Sequence, residues 1–131
     1  SYFRHRMLGV LATAFAGPLA NFIAAFVCIS SVHLLEHISL PWALLLAIRQ
    51  ILQAIALVNI SLGVFNFIPV PPLDGGHLAN ELLRDRAPQV MEFLHSYGII
   101  IVLLLMALEP MRTLFTITVY SIAGLMHYIV M

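Results

Sequence analysis

The sequence predicts an all-α fold, a multi-pass bundle of membrane-crossing helices in which one helix is broken. Three observations predict it. Hydrophobic residues make up 62% of the 131-residue chain and charged residues only 9%, where a soluble domain carries about a quarter charged. Uncharged runs reach 25 residues at 8–32 and 23 residues at 51–73, and about 20 apolar residues suffice to cross the hydrocarbon of a bilayer. The second run closes on Asn66-Phe67-Ile68-Pro69-Val70-Pro71-Pro72-Leu73-Asp74-Gly75-Gly76, where prolines and glycines forbid a continuous helix. The chain therefore reads as one transmembrane domain, 1–131, with spans near 8–32, 51–73, 91–108 and 113–131, broken at Asn66–Gly76.

Each element has its own justification. Arg4-His5-Arg6 is a basic flank. The run 8–32 is rich in small residues, among them Gly9, Ala12, Ala16, Gly17, Ala20, Ala24 and Ala25. Small residues let membrane helices approach closely, which places this helix inside the bundle, with Pro18 expected to kink it. Residues 33–40 form a polar break. Pro41-Trp42 opens a short apolar piece ending at Arg49-Gln50, too short to span alone, whose ends read as interfacial anchors. Residues 51–73 make the second span. The loop that follows holds Glu81, Arg84, Asp85, Arg86 and Pro88. The third run, 93–108, spans if Met91 and its neighbours extend it. Glu109-Pro110-Met111-Arg112 reads as a tight turn before the last span.

Two crossings separate the amino-terminal flank from the loop after Asp74, so both are expected on one side. Arg4, Arg6, Arg84 and Arg86 on that side outnumber Arg49 and Arg112, which favours the cytoplasm. Residues 33–40 and 109–112 are then expected opposite. Net charge is zero and all six basic residues are arginine, so no basic tract suggests a nucleic-acid partner. The single Cys28 excludes a disulfide within the chain and reads as a packing residue. Ser1 is neither a start methionine nor part of a signal peptide, which fits a truncated chain.

Asp74 is the costly residue. An ionisable group at the end of a membrane segment is a functional-site hypothesis by default. Broken backbone at membrane depth is tolerated only inside protein or beside a wet cavity. This stretch resembles the second signature of the site-2 protease family, the intramembrane zinc metalloproteases: an asparagine, prolines, then Leu-Asp-Gly. The match is Asn66, Pro69, Pro71, Pro72, Leu73, Asp74 and Gly75. A second patch, Ala16-Gly17-Pro18-Leu19-Ala20-Asn21, looks like the family's upstream Gly-Pro-x-x-Asn. The resemblance covers roughly residues 2–108.

The family's first signature, H-E-x-x-H, supplies two zinc ligands and the general base, and no His-Glu dipeptide occurs here. The simplest reading is a fragment that begins after the first catalytic helix; a natural protein lacking that helix is the other. The resemblance implies an enzyme that hydrolyses peptide bonds of membrane-embedded protein substrates, with zinc as cofactor. The bilayer and the missing amino-terminal segment would be its partners, and a prokaryotic cell membrane its expected location. It implies that Asp74 is the third zinc ligand and that Asn66 holds the substrate strand or the developing oxyanion. The bland reading of Asp74 is a helix cap or turn residue, and that of Asn66 is an amide satisfying freed carbonyls. Gly17, Pro18, Asn21, Pro69, Pro71 and Gly75 read as structural.

Two competing readings remain. One is a non-catalytic membrane protein of the same fold that binds a partner helix. The other is a self-contained metal hydrolase built on His33-Leu34-Leu35-Glu36-His37, which matches H-x-x-E-H. On a helix His33 and His37 would share a face, yet a full span would separate them from Asp74. His77 could reach the face of Asp74 if a helix resumes there, although a solvated loop histidine is the default. His95 and His127 read as core or interface histidines, and Asn59 as interhelical glue.

Overall fold

The structure is a computed structural model that describes residues 2–71 and 73–131. Ser1, on which the truncated-chain reading rests, and Pro72, part of the motif match, lie outside the described residues. Five helices follow in order: α1 (Tyr2–Leu35), α2 (Trp42–Asn66), α3 (Gly75–Leu83), α4 (Pro88–Ala107) and α5 (Glu109–Val130). All but α3 are long and apolar enough to cross a membrane. Most of their large apolar side chains face outward. In water that surface would be an uninterrupted adhesive patch; in lipid it is the natural exterior.

Four polar side chains on these helices bond within their own helix. Thr13 donates to the Gly9 carbonyl at 2.9 Å, Ser31 to Val27 at 2.8 Å, Asn59 to Ile55 at 3.0 Å and Thr118 to Leu114 at 2.8 Å. Where no water competes, each group must be satisfied by the protein. Asn59 is thus bonded within α2 rather than across helices.

α1 lies at the centre, packed against α2, α3 and α5. The core joins Ala25 and Ile29 of α1, Ala56 and Ile60 of α2, and Val119 and Ala123 of α5. Cys28 packs against this cluster. The helix continues through Pro18, which is buried. α2 is one helix where two pieces were expected. Arg49 and Gln50 are good helix formers, and no proline or glycine interrupts the run between Trp42 and Leu62. The helix then stops at Asn66, short of the expected 73, because Pro69 has no N–H to offer Phe65 and its ring would clash with that carbonyl.

α5 departs from the expected topology. His33 near the end of α1 meets His127 near the end of α5, ring nitrogen to ring nitrogen at 3.2 Å. Phe115 lies with Ser61 and Phe65 of α2, and His127 with Gln53. α5 therefore runs antiparallel to α2 and in the same sense as α1. Its start cannot lie at the His33 end, where residues 109–112 were expected. The corner itself is local chemistry: Pro110 cannot donate to the Met106 carbonyl, and Leu108 turns extended at φ −77°, ψ 130°.

The direction of α5 can be tested in a Cys28→Ala background. Cysteines replacing His33 and His127 should be joined efficiently by a short bifunctional thiol reagent, whereas cysteines replacing His33 and Thr113 should not. Efficient joining of the second pair, and not the first, would reverse the helix.

Candidate metal centre at the broken helix

The broken helix is held by aromatic and backbone contacts. Phe67, just past the end of α2, lies against Phe15 of α1 edge-on at 5.4 Å and against Phe22 at 6.0 Å with rings nearly parallel. Phe15 and Phe22 are seven residues apart and share one face of α1. After Phe67 the backbone folds through short turns: Val70 N–H to Ile68 at 2.8 Å, Leu73 N–H to Val70 at 3.0 Å and Gly76 N–H to Leu73 at 2.9 Å. Close packing demands the glycines here. A β-carbon on Gly75 would lie 2.6 Å from the carbonyl oxygens of Phe67 and Ile68, and one on Gly98 of α4 would collide with the Pro71 carbonyl.

These turns deliver Asp74 to α1. Its carboxylate rests on Gly17, where any β-carbon would overlap it. Gly17 is therefore the seat of the carboxylate, a closer relation than the general packing role expected from sequence. It also sets the depth. Gly17 stands about 22 Å from the start of α1 and about 27 Å from its end, at 1.5 Å per residue. Asp74 is level with the middle of that helix, because α2 ends early and the chain turns back.

Asp74 occupies the N-cap position of α3 but makes no capping hydrogen bond. It is half-buried, and among the described residues its carboxylate has neither an ion pair nor a hydrogen bond. Asn66, the last residue of α2, is half-buried as well. Asn21 lies one turn below Gly17 on the same face. Neither amide is hydrogen-bonded among the described residues. Of the sequence-predicted residues, Gly17 and Asp74 are in contact, and Asn66 stands at the end of α2 where the chain begins its turn towards them. At the outer end of α3, Glu81 pairs with Arg6 of α1 at 2.9 Å.

Other candidates separate from this place. His77 is exposed and lines a groove of about 460 Å³ with Pro71, Asn80 and His95. Asp74 does not line that groove, so His77 looks towards α4 while Asp74 looks towards α1. His95 faces Asn80 at 3.5 Å. The H-x-x-E-H pattern does not assemble: α1 ends at Leu35, so Glu36 and His37 leave the helical spacing that would align them with His33. Among the described residues no three His, Cys, Asp or Glu side chains are grouped to hold a metal. His33 itself lies about 24 Å along α1 from Gly17.

Residues 38–107 match the family model described as Peptidase family M50. The chain belongs to that family, the site-2 proteases. The matched region of this M50 chain contains Asn66, the prolines and Asp74, while Gly17, Pro18 and Asn21 precede it. Among curated proteins it is similar to "Putative zinc metalloprotease YwhC" of Bacillus subtilis, 31% identical over 102 residues, 76% of this chain and 46% of that protein. A protein of the same description from Neisseria meningitidis is 40% identical over 67 residues, 47% of this chain and 15% of the relative. Another from Thermotoga maritima is 35% identical over 63 residues, 44% of this chain and 13% of the relative. The M50 chain thus spans less than half the length of these relatives. No solved structure matches it.

The seat of Asp74 on Gly17 makes a prediction that needs no activity. Gly17→Ala should destabilise the bundle by about 1–3 kcal/mol through overpacking. In an Asp74→Ala background the same change should cost less, by a coupling of about 1 kcal/mol. Unfolding in mixed micelles of the four proteins in this cycle gives the coupling. Purely additive effects would mean the two residues do not touch.

Proposed function

We propose that this chain is part of an intramembrane zinc metalloprotease and that Asp74 is one of the zinc ligands. The observation that carries the reading is the carboxylate at mid-helix depth, lying on Gly17 and not engaged by any cation or helix cap among the described residues. An unpaired aspartate at the centre of a membrane helix costs about 3 kcal/mol on insertion scales. A metal ligand repays that cost; a turn residue does not.

The donor set fits zinc only in part. A catalytic site takes three protein ligands and leaves a position open, and the described residues offer one at this place. In the proposed protein the two histidines and the general-base glutamate come from an H-E-x-x-H segment upstream of this chain. Zinc, when bound, supplies the Lewis acidity that lets water hydrolyse a peptide bond at neutral pH.

This chain's own residues do the rest. Gly17 gives the carboxylate room and so fixes its direction. The buried Val70–Pro71 turn and Gly98 wedge the broken backbone against α4. Among the described residues the Asn66 amide makes no hydrogen bond, and its two donors and one acceptor suit it to hold an extended substrate strand or a carbonyl oxygen gaining charge. Because the site lies level with the middle of apolar helices, the substrate class is a membrane-embedded protein. The similar proteins are bacterial, which supports a bacterial cell membrane as the location.

Cleavage of a model membrane substrate by the longer protein tests the reading. Asp74→Ala should abolish cleavage while the protein still inserts. Asn66→Ala should slow it by about a hundred- to a thousandfold, the usual cost of a lost oxyanion donor. Full activity in Asp74→Ala would remove the proposal.

A further inference from the structure

α3 is short, nine residues, and Asp74 stands at its first turn. A helix of that length is held by what it touches, not by its own cooperativity. At its inner end the carboxylate of Asp74 rests on Gly17. At its outer end Glu81, the one charged residue of α3, meets Arg6 at 2.9 Å, with side chains 10% and 32% exposed. Both attachments are to the same face-forming helix, α1. They lie about 16 Å apart along α1 and about 10 Å apart along α3, a difference that the long Arg6 and Glu81 side chains span. Packing of Gly75 and Gly76 against the preceding turn already holds the inner end of α3; the Arg6–Glu81 pair adds a restraint on the axis and rotation of its outer end.

We infer that the Arg6–Glu81 pair is a positioning device that aims Asp74 at the metal. This rests on the proposed role of Asp74. Arg6 was read from sequence as a flank that orients the chain towards the cytoplasm; its partner gives it a second task. An ion pair this exposed on one side contributes little net stability, so its effect should appear in the geometry at Asp74 more than in folding. Neither residue touches the site: both act through the helix.

The test uses the longer protein that carries the H-E-x-x-H segment. Zinc affinity is measured by competition with a chelator, and the ligand field by the visible absorption of the cobalt(II)-substituted protein. Arg6→Gln and Glu81→Gln should each weaken zinc roughly tenfold, the lower range for loss of a group supporting a metal ligand, and shift the cobalt bands. The charge swap Arg6→Glu with Glu81→Arg should restore affinity to within about twofold and return the bands. Arg6→Lys should stay close to wild type. Single variants with wild-type affinity and spectrum would overturn the inference, as would a swap that fails to restore zinc binding or folding. Asp74→Ala, measured beside them, separates the two claims. If it keeps its zinc, the proposed site falls; if it loses zinc while the pair variants keep theirs, only the positioning role falls.

Discussion

A carboxylate seated on a helix that has no side chain at that point is the contact on which the rest of the arrangement depends. For Asp74 to reach Gly17, α2 must stop at Asn66 and the chain must turn within a few residues. The turn must then be packed from both sides. Phe67 between Phe15 and Phe22 anchors it to α1, and Gly98 lets α4 close on Pro71 from the other side. The approaches at Gly17, Gly75 and Gly98 are ones that a larger residue would forbid. The prolines stop one helix, the glycines allow the next to begin against backbone, and the aspartate is left at the join.

The energetics separate this place from the rest of the bundle. The core of α1, α2 and α5 is made of Ala, Ile and Val with no polar atoms. Thr13, Ser31, Asn59 and Thr118 return their hydrogen bonds to their own helices. Among the described residues, the side chains of Asp74, Asn66 and Asn21 make no hydrogen bond. In a medium where an unmet polar group is expensive, the Asp74 carboxylate seated on Gly17 is a cost to stability, and function is the ordinary reason for keeping one.

Much of the fold could be read from the chain, for physical reasons that particular residues show. Long uncharged runs announce membrane helices because about 20 apolar residues match a helical crossing, which satisfies its own backbone in lipid. The proline–glycine stretch announced its break for the same reason. Helix boundaries were less legible. Arg49 and Gln50 are interfacial in character yet helical in propensity, and the tertiary structure kept them inside α2. The direction of α5 was not legible, because it is set by contacts such as His33 with His127, 94 residues apart. The family was legible as a pattern of residue types around Asn66 and Asp74. The depth of Asp74 was not, since that depends on where Gly17 falls along α1. Nor was the Arg6–Glu81 pair, for nothing local links a flank arginine to a loop glutamate.

Zinc stoichiometry tests the central claim most directly. After dialysis, the longer protein with its H-E-x-x-H segment should retain about one zinc per chain, and its Asp74→Ala variant and the 131-residue chain alone should retain essentially none. One tightly held zinc on the 131-residue chain, or undiminished zinc in the Asp74→Ala protein, would contradict it.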